Sequence, residues 1–149
     1  MMVKRLLPPI LCVLALSPWA IAAADNSTRV GGYTIHHSAF PATSLDAEVA
    51  KAHDLQRSKR LGVLNVTVLK EPGDAVPVSV PAIVDVEIPR DAGDPVRVPM
   101  REASEQDAIY YLGQFPIQDQ ETLEFRISVR PQGETETLTV QMDQAFFLD

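Results

Sequence analysis

The sequence predicts a mainly β fold, an antiparallel immunoglobulin-like β-sandwich of about seven strands with one short helix near the N-terminus. Three observations carry that expectation. From residue 61 onward, apolar and β-branched residues alternate with polar ones, the period-two pattern of strands with one buried face. Turn chemistry interrupts the pattern at roughly ten-residue intervals, as in Glu71-Pro72-Gly73-Asp74, Asp91-Ala92-Gly93-Asp94 and Pro131-Gln132-Gly133. Only one short stretch, after Pro41, shifts to helical spacing. A small barrel is the main alternative architecture.

Residues 1–24 read as a signal peptide. Lys4 and Arg5 form a basic start, Leu6 to Leu16 an apolar core, and Ala22-Ala23-Ala24 the small residues a signal peptidase accepts. Cleavage near Ala24 predicts an exported protein with residues 25–149 as a single domain. Prolines interrupt the apolar run, which lacks the clean stretch of about 20 residues that a span needs, so no membrane span is expected in the mature chain.

Cleavage would also remove Cys12, leaving a domain that must hold itself together by packing rather than by disulfides. Loss of Lys4 and Arg5 takes the formal charge from −7 to −9. So acidic a body argues against nucleic acid as a partner.

The elements follow in order. Residues 25–32 are polar and end in glycine, which suggests a loose lead-in. Gly32 to Phe40 reads as a strand that Pro41 stops. Thr43 and Asp46 then suggest a capping box, with a helix to about Asp54 that buries Leu45, Val49 and Ala52. Leu61 to Lys70 is a β-branched strand. In Val78 to Ile88 the even-numbered residues share one face, and Val96, Val98 and Met100 continue the alternation after a turn.

Residues 109–117 are apolar on both faces, which predicts a central strand covered on each side. Residues 122–130 place Leu123, Phe125, Ile127 and Val129 inward, and Pro131-Gln132-Gly133 turns into a strand over 137–143. Prolines 77, 81, 89, 95, 99 and 116 mark strand edges and ends.

Few residues suggest chemistry. His36 and His37 are adjacent, but a strand sends neighbours to opposite faces, so the pair cannot chelate one ion without a bulge. A metal site would need His36 or His37 together with His53 or a carboxylate. No Gly-x-Ser-x-Gly or Ser-x-x-Lys motif is present, so an enzyme is not expected and a hydrolase would need an unrecognised site. No cofactor is expected either. The most distinctive polar stretch is Arg57-Ser58-Lys59-Arg60, three cations within four residues of an acidic chain. It could hold an anionic ligand or an acidic partner, neutralise carboxylates of the same domain, or simply solvate a loop.

Several stretches together resemble the DUF4426 family of small exported proteins of Gram-negative bacteria, which have no established function. They are Tyr33-Thr34-Ile35-His36, Glu48-Val49-Ala50-Lys51-Ala52, Arg57-Ser58-Lys59, Leu64-Asn65-Val66-Thr67-Val68, Ala108-Ile109-Tyr110-Tyr111, Glu121-Thr122-Leu123-Glu124-Phe125 and the closing Gln144-Ala145-Phe146-Phe147-Leu148-Asp149. The resemblance implies a periplasmic location and makes Arg57 to Lys59 and Asn65 to Thr67 characteristic segments. It also implies that His37 fills an inward position that an aromatic residue takes in relatives. No catalytic residue carries over.

The combined expectation is a non-enzymatic binding module for another envelope protein or an anionic ligand. Arg57, Ser58, Lys59 and Asn65 are its candidate contact residues.

Overall fold

Among the described residues, alternating branched and aromatic residues build ten strands rather than about seven. The structure, a computed structural model, describes residues 26–149, so the expected signal peptide lies outside the described residues. In chain order the elements are β1 (Ser27–Val30), β2 (Tyr33–Pro41), a 3-10 turn (Ala42–Ser44) and helix α1 (Ala47–Ala52). Then come β3 (Leu61–Lys70), β4 (Val78–Ser79), β5 (Ala82–Ile88), β6 (Val96–Val98), β7 (Met100–Glu105), β8 (Ala108–Pro116), β9 (Glu121–Pro131) and β10 (Leu138–Phe146).

Every pairing is antiparallel. One sheet runs β1-β2-β3-β8-β7, with β4 also on β3; the other runs β10-β9-β5-β6. The sheets share one apolar core. Ile35, Leu64, Val66, Val68 and Phe115 of the first meet Val86, Phe125, Ile127, Val129, Val140 and Phe146 of the second. Phe115 stands edge-on to Phe125 at 4.9 Å and to Phe146 at 5.7 Å, the geometry aromatic quadrupoles favour.

A smaller cluster lies on the outer face of the first sheet, where Val63 of β3 and Leu112 of β8 meet Ala42, Ala50 and Leu55. Strand β8 is therefore covered on both faces, as its pattern predicts, and so is β3.

Four local expectations are corrected. Residues 27–30 are not a loose lead-in but strand β1, turned onto β2 by Gly31 and Gly32 at φ 57° and 79°. Two positive φ values in a two-residue loop make a primed hairpin turn, which glycine enters without steric cost. The stretch Val78 to Ile88 is not one strand: β4 joins the first sheet and β5 the second. Pro81, lacking an N–H for the ladder, stands at the switch.

Residues 96–100 likewise divide at Pro99, with β6 in the second sheet and β7 in the first. Gly113 of β8 makes room for this crossing, since a Cβ there would sit 2.8 Å from the Pro99 carbonyl oxygen.

The fourth correction concerns α1. Thr43 is not its cap; residues 42–44 form the 3-10 turn, and Asp46 caps the helix by accepting from the Glu48 N–H at 2.8 Å. With the start moved three residues on, Ala50 faces the sheet while Val49 remains 46% exposed.

Candidate binding surface around helix α1

Six residues cannot sustain a helix alone, so α1 must be anchored from outside. Its C-terminal end closes by two reverse bonds. Leu55 N–H reaches the Ala50 carbonyl at 2.8 Å, and Asp54 N–H reaches that of Lys51 at 3.3 Å. Asp54 takes the left-handed conformation (φ 53°) that such a closure requires. Leu55, then turned inward, packs in the outer cluster with Ala50.

Arg101 of β7 clamps the same end. Its Nη2 donates to the carbonyls of His53 (2.8 Å) and Asp54 (3.0 Å), and Nη1 lies 3.6 Å from Asp54 Oδ2. Two residues beyond Asp54, Gln114 of β8 exchanges two bonds with the backbone of Gln56, at 3.0 and 2.8 Å.

Held this way, α1 walls a groove of ≈ 550 Å³ over the outer face of the first sheet. Phe40, Leu45, Val49, Leu55 and Leu112 give it apolar sides, and Glu48, His53, Asn65, Glu105 and Tyr110 supply its main polar groups. Tyr110 donates its hydroxyl to Glu105 Oε2 at 2.7 Å and meets the His53 ring edge-on at 5.8 Å. The Glu105 hydrogen bond, then burial, then the carboxylate's charge hold the Tyr110 phenol above its ordinary pKa. Asn65 Oδ1 is buried without a hydrogen-bond partner among the described residues.

The basic stretch follows directly. Arg57, Lys59 and Arg60 are all exposed. Ser58 shapes their loop, its Oγ accepting from Arg60 N–H at 3.1 Å and its carbonyl from Leu61 N–H at 3.3 Å. Among the described residues no carboxylate lies within 4.0 Å of these cations; the ion pairs present are Arg29–Glu71, Arg97–Glu87, Arg101–Asp54 and Arg126–Glu124.

The four expected contact residues therefore divide. Arg57, Ser58 and Lys59 share one loop. Asn65 sits in β3 between Ser38 and Leu112, about 13 Å along the strand from Leu61, and lines the groove instead.

The histidines separate as strand geometry demands. His36 is exposed opposite Thr67, whereas His37 is 7% exposed, with Nε2 3.2 Å from Thr28 Oγ1. Both border a hollow of ≈ 170 Å³, and His53 lines the α1 groove. Among the described residues no group of three or more His, Cys, Asp or Glu side chains could share an ion. Of the groove's polar residues, sequence reasoning singled out His53 and Asn65 as candidates and missed Tyr110 and Glu105. The outward alternation of β7 and β8 carries a signal for that pair only once the strands are known to be neighbours.

Fold and surface together define a mainly antiparallel β protein of two sheets, with a helix-walled groove beside a basic loop. A model of the family described as "Domain of unknown function (DUF4426)" matches residues 27–149, and the chain belongs to that family. It is similar to a solved structure of a DUF4426 family protein from Pseudomonas aeruginosa PAO1, with 34% sequence identity and a TM-score of 0.69. The match covers 83% of this chain and 94% of that one. No curated protein matches.

Proposed function

We propose that this chain is a non-enzymatic interaction module of the bacterial periplasm, binding an acidic surface of another envelope protein through Arg57 and Lys59. The observation that carries this reading is the lack, among the described residues, of carboxylate partners for three exposed cations within four residues of an otherwise acidic domain. Cations neutralising their own domain would have carboxylates beside them. Cations without a carboxylate beside them and displayed on a turn can meet carboxylates of a partner; Arg57 Nη2 donates to the Thr43 carbonyl at 3.5 Å, which leaves its other N–H groups for such a contact.

The strand order supports an immunoglobulin-like sandwich as the scaffold. Strands β2, β3, β5, β7, β8, β9 and β10 take the places of strands A to G, with A-B-E-D in one sheet and C-F-G in the other. On this reading β6 extends the second sheet beside strand C, and β1 and β4 are additions to the first. The leader-like residues 1–24 and a remainder free of cysteine support export.

Affinity capture from native periplasmic extract tests the proposal. The pair Arg57→Ala and Lys59→Ala should lose the partner with an unchanged Tm. Salt near 1 M, where charges are screened beyond about 3 Å, should release it. Undiminished capture by the double variant would rule the loop out as the contact.

A further inference from the structure

We infer that the groove walled by α1 binds a small molecule with an apolar, ring-sized body and a protonated amine. This goes beyond the partner reading above, because the groove and the basic loop are separate surfaces. Volume sets the size: ≈ 550 Å³ falls within the range of ordinary small-ligand sites. The shape is preformed, since Arg101 and Gln114 fasten both the helix end and the chain leaving it.

Apolar sides select an apolar body. Val49 is the telling residue, a helical apolar side chain left 46% exposed at the groove rather than turned into the core beside Ala50.

Charge selects the head group. Among the described residues the carboxylates lining the groove are Glu48 and Glu105, and no Lys or Arg lines it. An anionic ligand would meet two like charges there. Tyr110 occupies only Oε2 of Glu105, which leaves the other oxygen free to accept. The Tyr110 ring beside it favours a cation further. Asn65, which lines both the groove and the hollow beside His36 and His37, carries a buried Oδ1 without a donor, and an ammonium group carries three donors and no acceptor.

Titration with 2-phenylethylamine tests this, using 3-phenylpropionate as a control of similar size and opposite charge. The amine should bind saturably below about 1 mM, and the anion about tenfold or more weakly. Glu105→Gln should remove most of that preference. Val49→Arg, at an exposed helical position, should abolish amine binding with an unchanged Tm. Backbone amide shifts on titration should centre on Asn65, Glu105 and Leu112, which locates the site in the unaltered protein as well. Equal binding of amine and anion, no saturation with the amine, or shifts centred elsewhere would overturn the inference.

Discussion

At the scale of single residues, the strand period and the capping chemistry made unequal guides. Strand alternation correctly separates His36 from His37, because successive Cβ atoms must leave opposite faces of a pleated strand. Capping was less determinate. Thr43, Ser44 and Asp46 all have side chains suited to an N-cap, and the choice depends on where the chain can first turn against the sheet. The structure assigns the cap to Asp46. Asp46→Ala should therefore cost about 1 kcal/mol in urea unfolding, and Thr43→Ala less than about half of that. Equal losses would return the cap to Thr43.

At the scale of elements, α1 shows how a helix too short to form alone is made by its surroundings. Ala50 and Leu55 supply its apolar contact, and Arg101 satisfies carbonyls at its end. Arg101→Ala should raise amide hydrogen exchange at His53, Asp54 and Leu55, while β3 and β8 keep their protection. The local cost should be about 1 kcal/mol. Unaltered exchange would mean that apolar packing alone holds the helix.

The prolines act at this scale as well. Pro81 and Pro99 mark where the chain leaves one sheet for the other, a role that a proline at a strand edge does not reveal by itself.

At the scale of the whole molecule, two tyrosines tie the sheets. Tyr111 of β8 donates to Glu102 and accepts from the Ala82 N–H at the start of β5, at 2.7 Å. Tyr33 of β2 donates to Glu134, beyond β9, at 3.0 Å. Burial, chiefly, raises the Tyr111 pKa; the Ala82 N–H opposes the rise and Glu102 adds to it. Burial and then Glu134 raise that of Tyr33.

A phenol whose folded pKa is raised keeps its proton after the unfolded phenol, at 10.0, has begun to lose it. The unfolded chain then binds fewer protons, so stability is intact below pH 10 and falls as pH rises through the folded values. Urea midpoints measured on either side of pH 10 should show this decline, and Tyr111→Phe should flatten it. A rising midpoint would contradict the assignment.

By itself, the sequence determined most of the strand segments and the buried side of the clearest ones, but not β1 or the outer part of β7. Leu61–Lys70 and residues 122–130 show why: their alternation is local, and any antiparallel sheet would use it the same way. It also displayed the Arg57-Ser58-Lys59 turn, whose meaning lies in contiguous residues. Only the tertiary structure decided that residues 78–88 and 96–105 are each shared between two sheets. A period of two says which way a side chain points, not which strand lies beside it. The groove was decided at the same level. Phe40, Val49, Asn65, Glu105 and Tyr110 come together because β2, β3, β8 and β7 are neighbours and α1 lies across them. That adjacency is set by long-range packing, and no local pattern encodes it.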